Sequence, residues 1–342
     1  MRDETGWHDF IRMAIEKEAS DIHLTAHQRP HMRCLGVLQP MESRPLTEEF
    51  MSNLCSAILN DGQREKLTRE RELDLSWTFD GRRFRVHAYY QQGWLALAFR
   101  LLPERIPTLA ELGAPKAWQK MKDIDQGLIL VTGRTGSGKS TTLAAFIEEL
   151  NLEKSYHIVT LEDPIEYVFK PEKCFFSQRE LGRDFLDFYQ GLKSALREAP
   201  DVILVGEIRD AKTMKTAMMA AETGILVLAS LHTPSAEETA LRVEGLFSLA
   251  QQEIVRAQFG AVMAGIVSQC LLPGIDGGRV NLSEVLLADP AVRNIIRQGK
   301  YSQLGSVMLS HQAQGMQTRD MALDCLLHSG RIDRETWRCH HS

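Results

Sequence analysis

Eight consecutive residues, Gly133-Arg134-Thr135-Gly136-Ser137-Gly138-Lys139-Ser140, fit the pattern G-x-x-x-x-G-K-[ST]. Residues of these types at this spacing hold phosphate. Glycines let the backbone curl until its N–H groups, from Gly133 to Thr141, converge on phosphate oxygens. The N-terminus of a helix that follows the loop adds partial positive charge. Lys139 then reaches the β- and γ-phosphates, and the Ser140 hydroxyl ligates Mg2+. The flanks agree with this reading: the apolar run "GLILVTG" leads into the loop and the helical "STTLAAFIEEL" leads out of it. A chance glycine-rich turn explains neither flank.

What becomes of the phosphate depends on its neighbours. "VTLEDPIEYVF" carries Glu162, Asp163 and Glu166 just past a buried run, with Pro164 ending regular structure. Carboxylates there can order a Mg2+ shell or an attacking water; a solvated acidic loop has the same pattern. In "PDVILVGEIRD" the apolar Val202–Val205 runs straight into Gly206-Glu207. An acid at a strand tip suits a Walker B role, polarising water for attack on the γ-phosphate. The competing reading is an acid that merely precedes the next helix. "VLASLHT" sets His232 at a third strand end, either as a structural histidine or as a reporter of the γ-phosphate.

Such residues need a scaffold that gathers several strand ends at one edge. "GLILVTG", "HIVTLED", "DVILVGE" and "ILVLASLHT" are continuous apolar runs of strand length separated by helical stretches. That rhythm predicts a parallel sheet covered on both faces. Ligands bind at the carboxyl edge of such sheets. The preceding block has another rhythm. An amphipathic helix begins at Trp7, "SDIHLTA" alternates, a strand pair turns at Gly36, a helix starts at Thr47, and Asp80-Gly81 joins two alternating runs in a hairpin before the strand "WLALAFRLLP". Pro103, Pro107, Gly113 and Pro115 then mark a linker with a short helical turn. The expected division is a first domain over 1–103, a linker over 104–115 and a second domain over 116–342.

The bulk properties narrow the function classes. A formal net charge of -5 gives no sign of a nucleic-acid partner. No apolar stretch reaches the roughly eighteen residues that a membrane span requires, and the polar start is unlike a signal core. The six cysteines are scattered without a CxxC pair, which argues against a zinc ribbon and a disulfide scaffold and for reduced thiols. The tail Cys339-His340-His341-Ser342 reads as a frayed polar terminus.

In this order and spacing the motifs resemble the type II/IV secretion ATPases, and within them the type IV pilus retraction ATPases, the PilT family. "GSGKSTTLAA" resembles the Walker A box, "TLEDPIEYV" the Asp box, "REAPDVILVGEIRD" the Walker B box and "LASLHT" the His box. "EASDIHL" resembles the family's N-terminal entry and "FRVHAYYQQGWLALAFRLLP" its arginine-bearing strand pair. "AVRNIIRQGK" resembles a retraction motif near the C-terminus, and "GMQTRDMAL" the closing helix. The longer N-terminus and tetracysteine motif of assembly and secretion relatives have no counterpart in this sequence.

The resemblance implies an α/β chain with a RecA-like P-loop NTPase core and a smaller N-terminal PAS-like α/β domain. It implies a homo-hexameric ring, cytoplasmic and peripheral at the inner membrane, that hydrolyses ATP with Mg2+ and drives pilus retraction through an inner-membrane platform protein, alone or beside a paralogous ATPase. Glu207 becomes the catalytic glutamate, Glu166 a metal or water ligand, and His232 the His-box residue. Arg83, Arg85 and Arg100 stand where the family brings arginines to the nucleotide. Arg83 and Arg85 also share one strand face, and arginine suits the charge of a transferring phosphoryl group. Three positions depart from the family: Arg134 replaces a proline, Ile225 the first His-box histidine, and Ala199 an acid before Pro200. Ile225 can neither donate nor accept a side-chain hydrogen bond. The alternatives are a pilus assembly or type II secretion motor, and a weakly hydrolysing nucleotide-binding regulator of a paralogous motor.

Overall fold

The computed structural model describes residues 6–34 and 36–341. These form two compact units. The first runs to Arg105 and includes Pro164–Tyr167; the second holds Ile106–Asp163 and the chain from Val168 onward.

The first unit contains α1 (Trp7–Glu16), β1 (Asp21–Thr25), β2 (His31–Cys34), β3 (Val37–Pro40), α2 (Glu48–Ile58), α3 (Asp61–Glu70), β4 (Glu72–Phe79), β5 (Arg82–Gln91) and β6 (Trp94–Leu101). Its strands form one antiparallel sheet in the order β3-β2-β1-β6-β5-β4. Alternation sends Phe84, Val86 and Ala88 of β5 into a core with Phe10 and Ile11 of α1 and Leu54 of α2. The opposite face therefore receives Arg83 and Arg85. Asp80 and Gly81 take φ of +50° and +76°, the backbone a two-residue hairpin demands. Thr47 caps α2 by accepting from Phe50 N at 3.1 Å. Helix α3 has no apolar stripe and buries only Leu67; a reciprocal Asn60–Gln63 capping box starts it.

The second unit contains α4 (Ala117–Met121), β7 (Gly127–Thr132), α5 (Lys139–Glu153), β8 (His157–Glu162), β9 (Phe175–Glu180), α6 (Phe188–Ala195), β10 (Val202–Val205), α7 (Ala211–Glu222), β11 (Leu226–Leu231), α8 (Ala236–Gly245), α9 (Leu249–Val262), β12 (Met263–Pro273), β13 (Arg279–Leu287), α10 (Pro290–Gln298), α11 (Leu304–Ser310), α12 (Arg319–His328) and α13 (Arg334–His340). Seven strands lie in the order β13-β12-β7-β11-β10-β8-β9. All pairs are parallel except β12–β13. Every residue of β7, β10 and β11 is buried, as strands covered on both faces must be. The core below them joins Leu128, Leu130, Ile203, Val205, Val227 and Ala229 to Met214 and Ala217 of α7.

The C-terminal tail corrects one expectation. Cys339 and His340 lie in the last turn of α13 rather than in a frayed end. Asp333 caps that helix, accepting from Thr336 N at 2.7 Å, and Trp337 Nε1 donates to Asp324 Oδ1 of α12 at 2.7 Å. A cap and a buried-edge indole are enough to order seven residues that have no apolar stripe.

Ala199, one of the departures from the family, adopts φ +52°. An L-residue with a Cβ is strained there, and asparagine tolerates the region better. Ala199→Asn is therefore expected to raise unfolding stability by about 0.5–1 kcal/mol. The measurement is the urea midpoint at unchanged m-value, and a midpoint at or below wild type contradicts the expectation.

Candidate functional site

Parallel order sets the site. β7, β11, β10 and β8 are adjacent, and their carboxyl ends lie at one edge. The loop Gly133–Gly138 leaves β7, His232 follows β11, Glu207 follows β10 by one residue beyond Gly206, and Glu162 ends β8.

The phosphate loop is shaped by close packing against β12. Gly133 has φ +143°, and a Cβ on it would overlap the Gln269 carbonyl oxygen and lie 2.6 Å from Ser137 Oγ. No other residue type fits. Gly138, at φ +86°, caps α5 in the left-handed region, so the helix begins at Lys139. Gln269 Nε2 donates to Ser137 O at 2.8 Å and holds the loop from beneath. Lys139 Nζ donates to Gly133 O at 2.8 Å and Arg134 O at 3.2 Å, so the ammonium lies over its own loop. Thr135 and Gly136 are exposed at its crest, and Ser140 is exposed in the first helical turn.

These residues fit a phosphate. Ser137 Oγ is buried with no hydrogen-bond partner among the described residues. A buried hydroxyl is ordinarily satisfied. Together with a curled glycine backbone, a helix N-terminus and a lysine, it makes a site for an anion. A hydroxyl at Ser140 is also the donor type that Mg2+ takes.

Glu207 is fixed by its surroundings. Gly206 N donates to Leu161 O at 2.8 Å, Ile208 N donates to Ser230 O at 3.1 Å, and Ser230 Oγ donates to Gly206 O at 2.5 Å. The acid is thus stitched to β8 on one side and β11 on the other. Its Oε2 accepts from Arg209 Nη2 at 2.8 Å, and its Oε1 lies 3.3 Å from His232 Nε2. Burial pushes the Glu207 carboxyl up, but Arg209 and His232 outweigh it and hold it below the ordinary glutamate range. Glu207 is therefore an anion at neutral pH, able to accept a proton. Glu162 Oε1 accepts from Thr160 Oγ1 of its own strand at 2.7 Å and from Gln178 Nε2 of β9 at 3.4 Å.

The remaining expected residues belong to the first unit. Arg85 and Arg100 are direct cross-strand partners, and Arg83 shares their face. Arg100 Nε donates to Asp21 Oδ1 at 3.1 Å, Arg85 Nη2 lies 4.0 Å from Asp74 Oδ2, and Arg83 Nη2 donates to Ile165 O at 3.1 Å. Burial raises the Asp21 carboxyl, but Ser20 and Arg100 hold it below its usual range. Glu166 lies in the Pro164–Tyr167 segment that packs with this unit. The structure thus gathers Lys139, Ser140, Glu207 and His232 at one sheet edge, and the three arginines on one face of the other sheet.

Two neighbours of the site were not among the expected residues. Arg209 has a signal in the sequence, since it stands two residues from Glu207. Gln269 has none, because it sits in β12, whose run is broken by Ser268 and Gln269 itself. Among the described residues no group of His, Cys, Asp and Glu is arranged to hold a metal, and no helix is long and apolar enough to cross a membrane.

The comparisons with known proteins cover nearly all of the chain. Residues 6–327 match the family model of the type II/IV secretion system proteins. The chain is 42% identical to the type IV pilus retraction ATPase PilT of Pseudomonas aeruginosa over 96% of each protein. It is 43% identical to a twitching motility protein of Neisseria gonorrhoeae, covering 90% of this chain and 83% of that one. Its structure is similar to the crystal structure of the pilus retraction motor PilT with bound ADP, at a TM-score of 0.91 and 44% identity over 98% of this chain and 96% of that one.

Proposed function

The chain belongs to the type II/IV secretion system protein family, and from that premise we propose that it is an ATP-hydrolysing motor for type IV pilus retraction. The observation that carries this reading is the carboxyl edge of the second sheet, where a phosphate loop, an anionic glutamate and a histidine follow adjacent parallel strands. Near-full-length similarity to retraction motors supports the direction of the work.

In this reading the N–H groups of Gly133, Thr135, Gly136, Ser137, Gly138 and Thr141 cradle the phosphates of ATP, and Lys139 bridges the outer two. Glu207 takes the proton of the attacking water as its oxygen bonds to the γ-phosphorus and ADP leaves. His232, paired with Glu207, reports whether the γ-phosphate is present. Arg83, Arg85 and Arg100 supply positive charge to the transferring phosphoryl group. Ser140, and Glu166 through water, would hold Mg2+, which would supply positive charge against the phosphate oxygens. The working form is a homo-hexamer at the cytoplasmic side of the inner membrane, acting on a pilus platform protein, alone or beside a paralogous ATPase. Ile225 keeps a second reading in view: it packs half-buried against the main core and offers no hydrogen bond, which suits a weakly hydrolysing regulator.

The test is pilus number and retraction in a deletion strain complemented with wild type or Glu207→Gln. The expected result is abundant pili that do not shorten, corrected by wild type alone. Bald cells would mean an assembly motor. Normal pili, with little phosphate release from the purified protein, would favour the regulator.

A further inference from the structure

The segment that carries His232 is tethered to the strand beneath the phosphate loop by a chain of buried hydroxyls. Thr132 ends β7 and is followed directly by Gly133. Its Oγ1 lies 2.8 Å from Ser268 Oγ of β12 and 3.4 Å from Thr239 Oγ1 of α8. Thr239 Oγ1 donates at 2.6 Å to the carbonyl of Ser235, which caps α8 one turn back, and lies 2.7 Å from Thr233 Oγ1. Thr233 is the residue after His232. All four side chains are buried, Thr132 and Thr239 completely.

A hydroxyl has one proton to give and two lone pairs to receive with. Thr239 has two acceptors in reach of its single proton, the Ser235 carbonyl at 2.6 Å and Thr132 Oγ1 at 3.4 Å, and the shorter contact takes it. Thr233 must then donate to Thr239. The loop between β11 and α8 is thereby pinned through Thr233 to a side chain that also touches Thr132. Its far end has a second tether: Ala236 N, the first residue of α8, donates to Glu284 Oε1 of β13 at 2.6 Å. His232 lies directly before the first of these fixed points, between Leu231 at the end of β11 and the tethered Thr233.

We propose that Thr239 is a positioning residue for hydrolysis: its hydroxyl sets the His232 segment in register with the phosphate loop. The inference rests on the ATPase reading above. Thr239 hydrogen-bonds to Thr233, Thr132 and Ser235 rather than to the loop backbone that cradles phosphate, so nucleotide binding is not expected to depend on it. What depends on it is where His232 stands beside Glu207. Without the Thr239 hydroxyl, buried Thr233 has no acceptor there, and the loop must shift to find one.

Thr239→Val keeps the shape and removes the hydroxyl, and Thr239→Ser keeps the hydroxyl. The measurement is steady-state phosphate release against ATP concentration for both, with Thr233→Val as an independent route to the same untethering. The expected result is a kcat roughly tenfold or more below wild type in both valine variants, since a displacement near 1 Å can cost up to about a hundredfold. ATP KM stays within about twofold, and Thr239→Ser recovers most of the rate. A purely structural role would lower the melting temperature and leave kcat of the folded fraction unchanged. That outcome, or equal rates in Thr239→Val and Thr239→Ser, overturns the inference alone. If Thr239→Val fails to fold, Thr233→Val decides by the same kcat and KM criterion. A wild type that releases no phosphate overturns the ATPase reading, and this inference with it.

Discussion

Lys139→Ala lowers nucleotide affinity by about 10²–10³-fold while leaving the fold intact. The lysine ammonium is nearly buried over its own loop, donating to two loop carbonyls that are neutral and weak beside a phosphate. Charge-assisted hydrogen bonds to an anion are roughly twice as strong as neutral ones. Exchanging the two carbonyls for phosphate oxygens is therefore favourable, and the side chain needs only to turn at its tip. Loss of one or two such bonds, at about 1.5–3 kcal/mol each, spans about 10- to 10⁴-fold, and the stated loss is the middle of that range. Binding is not erased, because the loop N–H groups and the α5 terminus remain. The fold survives because Gly133, Gln269 and the β7–β12 pairing shape the loop independently of the lysine. Fluorescent-nucleotide titration measures the loss. Saturating ATP that raises the melting temperature of wild type should leave the variant almost unmoved. Affinity within threefold of wild type would mean that the nucleotide does not sit on this loop.

Such a residue can be found from sequence because its motif is local. Eight consecutive residues encode both the backbone curl and the charge. Strand ends are legible for a different reason. A strand covered on both faces holds few polar and no acidic side chains in its interior, so the first acid or histidine past the apolar run marks its end: Glu162 closes β8, and Glu207 and His232 follow β10 and β11. The Asp80-Gly81 hairpin is legible because few dipeptides adopt two positive φ angles. Elements that satisfy other demands are harder to see. Helix α3 has one buried side chain, and only its Asn60–Gln63 box announces it. Strand β9 lies at the sheet edge, so "FFSQRE" shows no continuous apolar run. β12 and β13 carry Ser268, Gln269, Asn281 and Ser283 inside the protein, and such residues interrupt the pattern that would reveal them. Their reason for being there is tertiary. Gln269 serves a loop 132 residues away, and Ser268 serves Thr132 at a separation of 136. No local rule links positions so far apart, and for the same reason the Thr132–Thr239–Thr233 chain is invisible before the strands are assembled.

Glu207→Gln should bind ATP as wild type does and turn it over about 10²–10⁴-fold more slowly, the range that a general base contributes. Glutamine has the volume of glutamate, and the backbone of this turn is fixed by Gly206, Ile208 and Ser230 rather than by the side chain. The variant should therefore keep the strand tip in place. What it loses is specific. The carboxylate accepts from Arg209 on one oxygen and faces His232 with the other. The amide has one oxygen for Arg209 and presents an N–H₂ to the histidine, and it cannot accept a proton from water. pH gives a second discriminator. Burial raises the Glu207 carboxyl, yet Arg209 and His232 leave it below the ordinary glutamate range, so protonation silences it only at pH below that range. An acid limb in kcat/KM that arises from Glu207 should thus lie low. Arg209→Ala should move it upward, because burial then acts with only His232 to oppose it. Rapid-quench single turnovers with saturating enzyme separate the chemical step from product release and give the rate on which the claim depends. Turnover of Glu207→Gln at the wild-type rate would transfer the base to another carboxylate at this edge. Glu162 would come first, since it ends the adjacent strand.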